Sequence, residues 1–277
     1  MLGAKYIIEP FYFSSSVGWI PSRYQEGINL GDSDHITISL TFVRTMRNPS
    51  SVTPTPSLIT STSSHLPVLQ NIDQVIDTQA PFQPLGDRIL LPDLLALHMV
   101  RSHENSTIIS YHPSREHRST TAEALHSRLH AVGHSVYWNN IFMGYDDPTF
   151  VFVSLLWYAL YAWDEALEES RVIHSNDIDL TQELHVIQAH LLHYASLLED
   201  FRKSVVFVLK TPYPGLDNSR YTPEYRERSK ALMEKECDNL LSEIERLDKA
   251  RSMQIKRLKN VMNLVSCTLS YRHLDIE

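Results

Sequence analysis

The run LHVIQAHLLHYASLLEDFRKSVVFV, residues 184–208, decides how the chain is read. Leu184, Ile187, Leu191, Tyr194, Leu198, Phe201, Val205 and Val208 follow one another at alternating spacings of three and four. An α-helix carries such positions along one face, so the run predicts a helix over 179–209 with a heptad seam. KTPYPG (210–215) ends it with two prolines and a glycine. A second seam follows Thr222-Pro223: Met233, Cys237, Leu240, Ile244 and Leu247, then Leu258, Val261 and Val265. Arg251 and Gln254 interrupt its apolar stripe, and the register either runs through them or shifts to Ile255 as a stutter. Two long heptad helices, 179–209 and 223–265, joined by a proline-rich turn predict an antiparallel helical hairpin. The candidate seam and self-association residues are Leu184, Ile187, Leu191, Tyr194, Leu198, Phe201, Val205, Leu240, Ile244, Leu247 and Leu258.

Two more helices precede the hairpin. Thr120 or Thr121 can cap one over 121–142, with Leu125, Leu129, Val132 and Val136 on one face. Asp147-Pro148 is a cap followed by a first-turn proline and opens another over 148–169, and HSNDIDL (174–180) breaks the chain after it. The stretch TFVFVSLLWYALYAW (149–163) is the most apolar in the chain, but Asp164 and Glu165 follow at once. A bilayer span takes ~20 apolar residues, so this is read as a buried core helix and no transmembrane segment is expected. A targeting peptide is not expected either, because Lys5 and Glu9 interrupt the apolar start of the chain.

Upstream, the pattern changes. HITISLTFV (35–43) alternates, with Ile36, Ile38, Leu40 and Phe42 on one side and Thr37, Ser39 and Thr41 on the other, which predicts a half-buried strand. YIIEPFYF (6–13) is read as a neighbouring strand broken at Pro10, and STIISYHP (106–113) as a further strand. DRILLPDLLALHMV (87–100) is read as a short apolar run followed by a helix from Pro92. Between 49 and 64, thirteen of sixteen residues are Pro, Ser or Thr, so a disordered loop is expected over 47–65. The expected class is α+β: a small α/β unit with a mixed sheet over 1–115, a helical region over 116–265, and an irregular tail over 266–277.

A net charge of -8 excludes a general nucleic-acid binder, which needs a basic face. Two cysteines among 277 residues give neither a disulfide framework nor metal-ligand spacing, and point to a reducing, cytoplasmic setting. His126, His130 and His134 recur every four residues; His126 and His130 can share one metal, with Glu123 adding an oxygen. No third strong ligand is fixed by spacing, and the row equally reads as the wet edge of an apolar face. His185, His190 and His193 are read as solvated positions on the heptad helix. SHENS (102–106) lacks the second histidine of a zincin, and Ser135 in GHSVY lacks a nucleophile elbow. No glycine-rich phosphate loop occurs, and no carboxylate pair is forced into a cleft, so no enzyme is expected and no cofactor follows from composition. The last helix is acidic in its first half and basic in its second, with Arg246, Lys249, Arg251, Lys256, Arg257 and Lys259. That suits the helix dipole and solvation, and equally an end lying near an anionic membrane surface.

LTQELHVIQAHLLHYASLLEDFRKSVVFVLKTP (180–212) and ERSKALMEKECDNLLSEIERLDKARSMQIKRLKNVMNLV (227–265) resemble the cytosolic helical region of fungal CorA-like magnesium transporter proteins. EPFYFSSSVGWIPSRYQE, DTQAPFQPLGDRILLPDLLALHMVRS and SVYWNNIF, with DPTFVFVSLLWYALYAWDEAL, are similar to their upstream part. The resemblance implies a cytosolic domain, a stalk at 223–265 leading toward a pore, a pentamer, and Mg²⁺ as the cation. The Gly-Met-Asn tripeptide of the family's pore is absent from the sequence, SCTLSYRHLDIE (266–277) does not look like the family's continuation, and DEALEESRVI is shorter than its counterpart. The expectation is therefore the cytosolic portion of a divalent metal ion transporter, ending before the pore and unable to transport alone. Its expected partners are itself or full-length relatives at the cytosolic membrane face. The alternative is an independent coiled-coil scaffold.

Overall fold

The computed structural model describes residues 8, 10–47, 83–85, 88–113, 121–170 and 180–274. The Pro/Ser/Thr stretch (49–64) and residues 174–179 of the HSNDIDL break fall outside the described residues. Five strands form one sheet: β1 (Ser22–Asn29), β2 (Ser33–Arg47), β3 (Gln83–Leu85), β4 (Arg88–Ser102) and β5 (Thr107–Tyr111). Their order is β1-β2-β4-β3, with β5 also pairing β4. Every pairing is antiparallel, which corrects the expected mixed sheet.

β2 is longer than the alternating run and is buried on both faces. Ile36, Ile38, Leu40 and Phe42 enter the main core. Thr37 and Ser39, expected at the surface, are also buried, because a helix covers the other face. That helix is α1 (Pro10–Gly18), whose first four residues, 10–13, belong to the stretch read as a strand. Pro10 opens it, where a missing N–H removes no intrahelical bond. The Tyr12 hydroxyl donates to the Ala96 carbonyl at 3.4 Å, and Tyr12 packs with Ile8, Leu94 and Ala96.

β4 runs unbroken through Pro92, where a helix was expected. β2 pairs with all fifteen of its residues, from Arg88 to Ser102. On the opposite edge, β3 takes 88–90 and β5 takes 96–100, leaving 91–95 as a notch without a strand partner among the described residues. The Leu94 N–H bonds to its neighbour's Asp93 Oδ1 at 2.9 Å, within that notch. Alternate residues of a strand point their N–H groups to the same edge, so the donor that Pro92 lacks also falls there.

Between the sheet and α1 lie His35 and His98, ring centroids 5.6 Å apart, with Thr37 Oγ1 2.7 Å from His98 Nδ1. Burial holds the His35 pKa below its ordinary value, outweighing the attraction of Asp34. Below the unfolded value of about 6.5, the unfolded chain therefore binds more protons at this site than the folded one. Stability is complete above that pH and falls as pH drops into the window beneath it. Thermal unfolding at pH 7.5 and 5.5 checks this: the midpoint is expected to fall at the lower pH, and by less in His35→Gln.

The helical half comprises α2 (Ala122–His134), α3 (Val136–Gly144), α4 (Thr149–Glu169), α5 (Leu180–Lys210) and α6 (Pro223–Leu274). The single helix expected over 121–142 is two. Thr121 caps the first, accepting from the Ala124 N–H at 3.2 Å. Ser135 adopts an extended conformation and caps the second through the Trp138 N–H. The break turns Val136 outward, 80% exposed, against the expected apolar face.

α4 and α5 lie against β2, and α6 packs across both. Sheet and helices thus share one core, centred on Phe42, Phe150, Phe152, Trp163 and Phe201. α6 is 52 residues, ~78 Å at 1.5 Å per residue. It continues as helix through Leu274, which corrects the irregular tail expected from Ser266.

Candidate functional site at the sheet–helix junction

Continued outward by one step, the β2 and β4 alternation places a charge on each apolar face. Asp34 follows the parity of Ile36 and Ile38, and Arg101 that of Leu97 and Met99; the two are paired across the strands. Both side chains are fully buried. Arg101 Nε donates to Asp34 Oδ1 at 2.7 Å, and Nη2 donates to Asp34 Oδ2. Nη1 donates to Thr149 Oγ1 at 2.8 Å and to the Thr211 carbonyl at 3.0 Å, while Nη2 also reaches the Pro212 carbonyl at 3.4 Å. A guanidinium has five N–H donors, and five acceptors are present. They come from β2, the first residue of α4, and the two residues that follow α5. The carbonyls past the end of α5 also carry the negative end of its dipole, which favours a cation there. Gln25 of β1 adds a donor to Asp34 Oδ2 at 2.6 Å.

Beside this group lies Asp147, 6% exposed. Its Oδ1 accepts the Thr149 N–H at 2.9 Å and so serves the first turn of α4, although the N-cap position is Pro148, one residue later than the Asp-Pro pair predicted. Burial raises its carboxyl pKa; hydrogen bonding from Thr149 and the charge of Arg101 oppose the shift, and Asp34 adds to it. Asp147 makes no ion pair among the described residues, so the buried group of Asp34, Arg101 and Asp147 has two acids and one base.

Asp147 and Thr149 border a cavity of about 380 Å³, at the small end of the ~300–1,000 Å³ range of ligand sites. Apolar side chains make most of its wall, among them Val208, Leu209, Leu216 and Met233. Tyr213, 2% exposed, forms another part of the wall, with the Arg101 guanidinium 5.7 Å from its ring centroid. Its hydroxyl is buried with no hydrogen-bond partner among the described residues. Burial pushes the phenol well above its ordinary pKa. The β1–β2 turn closes one side: Gly31, at φ +77°, donates its N–H to the Pro214 carbonyl at 3.0 Å. Arg226 and Lys230 of α6 stand at the rim, and carboxylates face both, Asp217 and Glu234, each at 3.9 Å.

Gly215 sits directly under Tyr213. A Cβ there would lie 2.2 Å from Tyr213 Cζ, so Gly215→Ala displaces the ring. Overpacking of this kind costs ~1–3 kcal/mol. The expected result is a lower urea midpoint with an unchanged slope; an unchanged midpoint would show that the ring moves freely.

The sequence-derived candidates lie elsewhere. Leu184, Ile187, Leu191, Tyr194, Leu198, Phe201 and Val205 of α5, and Leu240, Ile244, Leu247 and Leu258 of α6, are all buried within the chain. Arg251 and Gln254 hold the α6 register without a stutter, each 8% exposed. Arg251 Nη1 donates to the Leu191 carbonyl at 3.0 Å, and Gln254 Nε2 to the Leu167 carbonyl near the end of α4 at 2.7 Å. The histidine row stays at the surface: His126, His130 and His134 are exposed, and the last two rings stand 4.4 Å apart. Among the described residues, no group of three His, Cys, Asp or Glu side chains is placed to hold a metal ion. His185 and His193 are exposed, but His190, read as solvated, is buried against Tyr194. The period places it beside the seam position Leu191, so burial was legible there. Among the described residues, α4 alone is long and apolar enough to cross a membrane, and most of it is buried. Sequence reasoning missed Asp34, Arg101, Thr149 and Tyr213; the first two were marked only by that further step of parity. No family model matches the chain, and no curated protein matches it.

Proposed function

We propose that the chain is the cytosolic sheet-and-stalk portion of a CorA-like divalent metal ion transporter, with magnesium as the cation. The observation that carries the reading is the course of α6. Its seam is buried as far as Leu258, Met262 still packs partly against the core, and Leu264 is 68% exposed while the helix continues to Leu274. Lys256, Arg257 and Lys259 are exposed along the same stretch. α6 thus outruns the core that holds it, with a basic end, as a stalk approaching an anionic membrane surface would. α5 and α6 serve as an antiparallel hairpin: Arg251, late in α6, reaches Leu191, early in α5. In this role the chain associates with copies of itself or with full-length relatives at the cytosolic face. The seam residues are occupied inside the chain, so that association uses the far end of α6.

Light scattering coupled to size-exclusion chromatography tests this with and without magnesium. The expected result is an oligomer whose mass responds to magnesium. A strict monomer under both conditions would sink the proposal. An oligomer indifferent to magnesium would favour a coiled-coil scaffold instead.

A further inference from the structure

We propose that the cavity beside Asp147 binds a small organic cation, with a primary amine against the Asp147 carboxylate and an apolar body among Val208, Leu209, Leu216 and Met233. Three observations carry this. The carboxylate is nine-tenths buried, borders the cavity, and has no cationic partner among the described residues. Buried charges are ordinarily paired, and with Asp147 ionised the local count of two acids to one base is short by a single positive charge; the raised pKa of Asp147 is the cost of that shortage, which a bound cation would relieve. Arg101 does not supply it, since all five of its N–H groups are engaged by Asp34, Thr149 and the two carbonyls.

The remaining walls select among cations. A divalent metal needs several oxygen ligands converging on one point, and among the described residues no three acidic, His or Cys side chains do so: Asp217 and Glu234 lie at the rim facing Arg226 and Lys230. Arg226 and Lys230 do not reverse the preference, because Asp217 and Glu234 stand opposite them. An anionic ligand would face Asp147 with no spare cation to balance it.

Calorimetric titration of the whole chain with 2-phenylethylamine at pH 7.5 tests the proposal, alongside 2-phenylethanol and phenylacetate as neutral and anionic counterparts. One saturable site is expected, with the amine tightest and phenylacetate weakest. Asp147→Asn keeps the acceptor for the Thr149 N–H and removes the charge. It should weaken the amine by about tenfold or more at an unchanged melting temperature. Lys230→Glu changes only the exposed rim and should tighten the amine by about twofold to fivefold at low salt, which keeps the test independent of how Asp147→Asn folds. The absence of a saturable site in the native chain overturns the proposal. So does equal or tighter binding of phenylacetate, equal amine affinity in a folded Asp147→Asn, or unchanged or weaker amine binding in Lys230→Glu.

Discussion

Arg101→Met is expected to lower the unfolding free energy by ~3–5 kcal/mol, a large share of the ~5–15 kcal/mol that ordinarily holds a domain together. Methionine nearly fills the volume of the arginine stem, so packing is not the cause. The substitution leaves Asp34 charged and fully buried without its cation, and leaves the Thr211 and Pro212 carbonyls without their donor. It also removes the contact that joins β2, the start of α4 and the end of α5. Pairing it with Asp34→Leu should recover part of the loss, because the orphaned charge then goes too. Urea unfolding of both variants measures this. A single variant within ~1 kcal/mol of the native chain would show that Asp34 is neutralised or solvated by another route.

Trp163→Ala is expected to cost ~3–5 kcal/mol by a different mechanism. Trp163 is 0% exposed at the middle of the shared core, edge-on to Tyr194 with ring centroids 5.4 Å apart. It sits where α4 meets α5, so its removal leaves a cavity bounded by elements that other contacts also fix. Such a site cannot collapse to fill the space. Trp163→Phe should cost much less, because the indole N–H has no hydrogen-bond partner among the described residues and nothing polar is lost with it. Equal losses in the two variants would contradict the cavity account.

The elements that could be read from the sequence were those whose periodicity is a local property. The α5 seam and the start of α4 at Asp147-Pro148 needed only spacing and neighbours. The α6 seam was legible as well, though two of its members, Arg251 and Gln254, are polar. Their groups are satisfied by carbonyls of Leu191 and Leu167, 60 and 87 residues away, which spacing does not disclose. β2 looked half-buried because nothing in HITISLTFV announces α1 on its far side. α1 itself was misread because the apolar run before it suits a strand as well as a helix, and Pro10 marks the start of either. In β4, Pro92 counted against a strand until the sheet supplied an edge with no partner at that position among the described residues. The candidate site was the least legible part. Its charges lie one step beyond two apolar runs, and a third comes from the start of a helix more than a hundred residues from Asp34 and nearly fifty from Arg101. Only the assembled fold brings them to one place.

The notch in β4 has a consequence for how copies of this chain behave when crowded. An unpaired strand edge can template the addition of a strand from another molecule, the first step of aggregation, and burial of Leu91, Asp93, Leu94 and Leu95 is one guard against it here. Within residues 91–95, Pro92 also offers no N–H, and that of Leu94 is already taken by Asp93. An incoming strand would find carbonyls there but too few donors to form a ladder. Replacing Pro92 with valine would restore one donor and add a residue of high β-propensity. Among the described residues β4 serves three strands, and the proline lowers by one the donors that a fourth would need.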